Sequence, residues 1–200
     1  KVVAADLAAG PLTVANTGDR ELQAVVTVTG ESTEPEPATA NGFSIERTYY
    51  KLDGTALEDI GAAGSLMQND RVVVVLHVVA TDALGGRVLL VDRLPAGLEI
   101  ENPRLVAGGS VAGLPWLTET TAAEHTEFRD DRFVAAFDLG STAPASGEDI
   151  ENPSITVAYI ARAVSQGAFV HPAATIEDMY RPERQARSAA GKLEVKAAAN

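Results

Sequence analysis

The chain has 200 residues, room for one large domain or two small ones, and its 46% hydrophobic and 22% charged content fits a packed core rather than a disordered tail. Sixteen Lys and Arg against 28 Asp and Glu leave a formal charge of −12, the wrong sign for nucleic acid or anionic lipid, so neither is expected as a partner. With no cysteine, a disulfide framework, a thiolate zinc site and a cysteine nucleophile are excluded, while the compartment stays open.

In chain order, Lys1-Val2-Val3-Ala4-Ala5-Asp6 lacks the features of a signal peptide, so the chain is read either as cytosolic or, given the elements that follow, as a piece of a longer protein. Pro11 to Asn16 and Glu21 to Thr29 flank Thr17-Gly18-Asp19-Arg20, which predicts a hairpin. Glu31 to Ala40, with two prolines and no large apolar residue, predicts a linker and a domain boundary near residue 40. Phe43 to Leu52 alternates, placing Phe43, Ile45, Arg47 and Tyr49 on one face, and Asp53-Gly54 then supplies a turn.

Arg71 to Ala80 is apolar on both faces and predicts a central strand. At nine residues, broken by His77, the Val72 to Ala80 run falls far short of the roughly 20 that a membrane helix needs, so direct insertion is not expected. Strands are predicted at Arg87 to Asp92, Leu98 to Ile100 and Leu105 to Ala107, with breaks at Pro95-Ala96-Gly97 and Asn102-Pro103. Thr118 to Thr126 carries a capping pattern, Thr121 with Glu124 three residues on, and predicts one short helix. Arg132 to Leu139, Ser154 to Ala163, Ala168 to Ile176 and Lys192 to Lys196 complete a set of roughly ten strands. Without a βαβ rhythm, the expected fold is all-β, an antiparallel β-sandwich.

No nucleophile–base pair, phosphate-binding glycine loop or cofactor motif is present, so no catalytic residue and no cofactor are named. His125 beside Glu124, Glu127, Asp130 and Asp131 is read as a solvated acidic face rather than a metal site. His77 is read as a core or edge residue, and His171 has no evident partner in the sequence. Thr126 to Phe133 admits two readings: strand ends whose charges pair locally, or an intramolecular docking surface built on Arg129, Asp130, Asp131 and Arg132. Ile176 to Glu183 also admits two, a tyrosine packed back on its own sandwich or an exposed tip presenting Met179, Tyr180 and Arg181, residue types that dominate interface hot spots.

Taken together, Leu94-Pro-Ala-Gly-Leu-Glu-Ile-Glu-Asn-Pro-Arg104, Glu127-Phe-Arg-Asp-Asp-Arg-Phe-Val-Ala-Ala136 and Glu177-Asp-Met-Tyr-Arg-Pro182 resemble the carboxy-terminal region of bacterial alpha-2-macroglobulins. Asn41-Gly-Phe43, Tyr159-Ile-Ala-Arg162 and Phe169-Val-His-Pro-Ala173 match in the same order, and the likeness extends from residue 11 to about 195. The resemblance implies a terminal macroglobulin-like sandwich of Ig or fibronectin type over 41–200, with 1–40 as the last strands of a preceding CUB-like domain plus linker. It further implies a periplasmic, often lipid-anchored parent that traps proteases through a buried thioester. Within such a parent, the terminal domain docks on the thioester domain, and a loop tyrosine, here Tyr180 flanked by Met179 and Arg181, shields the bond. The other reading kept open is an Ig-like structural or adhesive module of a cell-envelope protein.

Overall fold

The structure, a computed structural model, describes residues 10, 13–27, 29, 35–60, 64–82, 84–140 and 152–198. The chain divides into two compact units, residues 1–32 and 33–200. In the first, residues 13–27 are exposed and carry no strand pairing, although Asn16 closes a turn by donating to the Arg20 carbonyl at 2.7 Å. The predicted hairpin is therefore absent among the described residues, and its outer ends at 11–12 and 28 lie outside them. Val14, Leu22, Val25 and Val26 are all exposed.

The second unit is built from thirteen strands among the described residues. They are β1 Thr39–Asn41, β2 Phe43–Tyr50, β3 Ser65–Met67, β4 Arg71–Ala80, β5 Gly86–Arg93, β6 Leu98–Ile100 and β7 His125–Phe128. These are followed by β8 Arg132–Leu139, β9 Ser154–Ala163, β10 Gly167–His171, β11 Ala174–Asp178, β12 Gln185–Arg187 and β13 Gly191–Lys196. A six-stranded sheet in the order β1-β12-β11-β5-β8-β7 packs on a four-stranded sheet β2-β4-β9-β6, with β10-β13-β3 as a third sheet. Every pairing is antiparallel except β13 with β3. This is a β-sandwich, as expected.

Phe43 and Tyr49 of β2, alternate residues of β4 from Val72 to Ala80, Val88 and Leu90 of β5, and Phe133 to Leu139 of β8 fill the space between the sheets. Strand β4 is apolar on both faces because both faces are covered. Its outer residues Val73 and Val75, with Ile160 of β9, lie beneath Val111, Leu114, Trp116 and Leu117 of the long β6–β7 connection. That connection is anchored by Glu101, whose buried carboxylate accepts from Arg71 and Arg162 at 2.5–3.1 Å. Trp116 donates to the Leu52 carbonyl at 2.9 Å and lies over Gly54, where a Cβ would stand 2.7 Å from the indole Cγ. Gly54 also has φ of 90°, so the Asp-Gly turn needs its glycine twice over.

Several expectations are corrected. Thr118 to Thr126 is no helix: Thr121 and Glu124 donate their backbone N–H groups to Thr156 and Ala136, and His125 begins β7. Pairing with β8 and β9 satisfies the backbone there, which overrides a weak local preference. Leu105 to Ala107 is no strand, because Leu105 and Val106 both donate to the Asn102 carbonyl at 2.9 Å and curl the chain into a short 3-10 turn. Ala168 to Ile176 is two strands in different sheets, β10 and β11, separated at Pro172, which has no N–H to offer a ladder. His77 is exposed, with Nδ1 3.0 Å from the Thr156 hydroxyl. Strand β3 was not foreseen, being only three residues long.

Candidate functional site

The β11–β12 turn is shaped by one carboxylate. Asp178 ends β11 with its side chain 1% exposed, and its Oδ1 accepts the N–H groups of Tyr180 at 3.0 Å and Arg181 at 3.1 Å. Its Oδ2 accepts from Arg181 Nε at 2.9 Å and Arg184 Nη1 at 2.8 Å. Burial alone would raise this carboxyl, but the two N–H groups and two guanidiniums outweigh it and hold it below the ordinary carboxylate range. Arg184 reaches onward to Asp82 Oδ1 at 2.5 Å and the Leu84 carbonyl at 3.2 Å, and its guanidinium sits 4.7 Å from the centre of the Phe43 ring. Arg181 donates to the carbonyl of Gly85. A Cβ on Gly86 would lie 2.6 Å from both Arg181 Nη2 and Asp178 Oδ2, so the cluster needs a glycine beside it.

From this braced base the chain bends at Met179 and Tyr180 before entering β12. Tyr180 is 77% exposed and Met179 44%, while the Arg181 side chain is held back against the cluster. Of the two readings of this segment, the tyrosine packed on its own sandwich is not what the fold contains. An exposed aromatic ring on a charge-braced base is the residue type that anchors protein contacts.

The other candidate segment is elsewhere. Arg129, Asp130 and Asp131 form the β7–β8 turn, closed by Arg129 N–H to the Arg132 carbonyl at 2.9 Å. Strand β5 pairs Arg93 with Arg132 at this end, and Val88 with Asp178 at the other, so about 17 Å of strand separates the two turns. The charges pair within the hairpin: Arg129 with Glu127 at 2.7 Å, Arg132 with Asp131 at 2.8 Å, and His125 with Glu127 at 3.3 Å. Phe133 instead turns inward, stacked on Tyr159 with centroids 5.0 Å apart.

A buried polar network escaped the sequence reading. Arg47 of β2 meets Asp92 of β5, donates to the Pro172 carbonyl at 2.8 Å, and lies 2.6 Å from His171 Nδ1. Tyr159 donates to Asp92 at 2.7 Å, and Tyr49 is 2.5 Å from His171 Nε2. Since a guanidinium only donates, His171 Nδ1 must accept, which assigns the ring proton to Nε2 and the acceptor role to the Tyr49 oxygen. Arg184 and Asp82 were also missed. The available signal was a second arginine three residues after Arg181, across Pro182, facing a lone strand-terminal Asp178.

Among the described residues no group of three or more His, Cys, Asp or Glu side chains is placed to hold a metal ion. No helix there is long and apolar enough to cross a membrane. The described residues define an all-β sandwich module with a braced, exposed turn between β11 and β12.

Residues 42–183 match the family described as the bacterial alpha-2-macroglobulin MG10 domain. The chain belongs to that family. It is 36% identical over 191 residues to the alpha-2-macroglobulin of Escherichia coli strain K12, a match covering 91% of this chain and 11% of that protein. A crystal structure of trypsin-activated alpha-2-macroglobulin from Escherichia coli superposes with a TM-score of 0.64 at 32% identity, covering 80% of this chain and 11% of that one. A Salmonella alpha-2-macroglobulin reacted with methylamine gives a TM-score of 0.62 at 32% identity, covering 82% and 10%. The chain thus spans about a tenth of the length of these relatives.

Proposed function

We propose that this chain is the non-catalytic C-terminal module of a bacterial alpha-2-macroglobulin-like endopeptidase inhibitor, and that it docks on and shields the thioester domain of its own parent. The parent is a periplasmic protease trap. A protease that cuts it releases the thioester to bond covalently to the attacker, and until then the bond must be kept from water.

The observation that carries this reading is Tyr180, 77% exposed at the tip of a turn whose base is charge-clamped. A thioester is lost to hydrolysis unless its surroundings are dry, and a rigid ring with a polar rim excludes water at small entropic cost. Relatives whose structures are described as trypsin-activated or reacted with methylamine support the parent's response to proteases and to small amines. This reading assigns the shielding contact to the turn of Met179, Tyr180 and Arg181 and leaves Arg129, Asp130, Asp131 and Arg132 as a separate candidate docking segment, in which Arg129 pairs with Glu127 and Arg132 with Asp131 at the far end of β5.

Removing residues 41–200 from the full-length parent tests the proposal. The truncated protein should lose its amine reactivity on storage and no longer form a covalent conjugate with trypsin. Full retention of both would overturn a shielding role.

A further inference from the structure

Nothing in the packing of the Tyr180 side chain fixes where it points, because most of it faces solvent. Its direction is set through the backbone, and the backbone is set by Asp178, which accepts the N–H groups of Tyr180 and Arg181 with one oxygen. The other oxygen takes Arg181 and Arg184, and Arg184 in turn grips Asp82 and the Leu84 carbonyl in the β4–β5 connection. One carboxylate therefore ties the turn that carries Tyr180 to a second connection about a hundred residues away in sequence. Met179 adds a third tie, donating to the Arg87 carbonyl at 2.8 Å.

We propose that Asp178 is a positioning residue for Tyr180, with Arg184 and Asp82 extending its hold, so that the ring is pre-set before it meets the thioester domain. This rests on the reading of Tyr180 as the thioester cover. A ring on a loose turn would spend binding free energy on ordering itself and would leave the bond intermittently wet, whereas a braced turn has met that cost in folding. The assignment separates two roles within one short segment: Tyr180 touches the partner surface, and Asp178, buried beneath it, does not.

The test uses the full-length parent as wild type, Tyr180→Ala, Asp178→Asn and Asp82→Asn, with two readouts. One is the rate of methylamine incorporation, and the other is deuterium uptake by the peptide spanning residues 179–184. Asp178→Asn should raise both roughly tenfold, the scale set by one charge-assisted hydrogen bond. Asp82→Asn should move both in the same direction by a smaller factor. Because Asp82 is about a third exposed, that variant folds even where Asp178→Asn does not. Wild-type uptake in the folded variants overturns the inference on its own. So does faster uptake with an unchanged methylamine rate, in a parent where Tyr180→Ala does accelerate the reaction. A Tyr180→Ala parent that reacts at the wild-type rate instead defeats the reading of Tyr180 as the cover, and the positioning role with it.

Discussion

Arg47 and Asp92 meet between the two main sheets, Nη1 to Oδ1 at 2.5 Å, with side chains 4% and 1% exposed. The pair bolts β2 to β5 across the sandwich, with Arg47 also reaching His171 and the Pro172 carbonyl and Asp92 accepting from Tyr159, and among the described residues no buried side-chain polar atom is left without a partner. Burial pushes the Asp92 carboxyl above its ordinary value, against the pull of the Arg47 charge and the Tyr159 hydroxyl.

Asp92→Asn leaves Arg47 buried without a counter-charge and should destabilise the domain by about 3–5 kcal/mol. Replacing both members with apolar residues of similar volume should cost much less, because no charge is then stranded. Urea denaturation of Asp92→Asn, Arg47→Met and a double variant with both members replaced measures this. A double-variant loss equal to the sum of the two single losses would rule out a coupled buried pair.

His171 gives the domain a pH dependence. Burial, reinforced by the Arg47 charge, lowers its pKa from the ordinary 6.5 to about 3. The folded state thus binds fewer protons than the unfolded state between those values. Stability from this group is whole above about pH 6.5 and is lost as pH falls toward 3, with a slope of at most about 1.4 kcal/mol per pH unit. Melting temperature measured against pH should fall across this window in the wild type and flatten in His171→Gln. An unchanged profile in the variant would assign the dependence to other groups.

Glu101 pins the β6–β7 connection to the outer face of β4 and β9. Glu101→Ala should uncover Val73, Val75 and Ile160 and cost about 1–3 kcal/mol, less than a fully buried pair because Arg71 and Arg162 keep some contact with water. Limited proteolysis should then cut within residues 101–117 ahead of the strands. Cleavage at the wild-type rate would show that Trp116 and its apolar neighbours hold the segment without the charge.

Strands β4, β8 and β9 were legible to the residue because each is long and starts directly after Asp70, Asp131 or Pro153, with β4 and β9 rich in β-branched residues and β8 alternating Phe133, Ala135, Phe137 and Leu139 on its buried face. What failed depended on distant partners. Thr118 to Thr126 reads locally as a capped helix, and only β8 and β9, which accept its N–H groups, make it extended. Phe169 and Ile176 look like one strand because nothing in the run except Pro172 announces that they serve different sheets. The polar clusters were opaque for the same reason: Arg47 finds Asp92 and His171, and Arg184 finds Asp82, across separations that no local pattern encodes. Tyr180 was legible as a candidate because the turn that carries it is continuous in sequence, whereas its supports are not.

The central claim concerns that tyrosine. In the 33–200 unit, Tyr180→Ala should change stability by less than about 0.5 kcal/mol, the usual range for exposed positions, whereas a core tyrosine would cost about 3–5 kcal/mol. The most direct measurement is the rate at which the full-length parent, without any protease, incorporates methylamine as wild type and as Tyr180→Ala. The account predicts several-fold faster incorporation in the variant, with an unchanged melting temperature. A wild-type rate together with a large drop in melting temperature would return Tyr180 to a structural role and contradict the account.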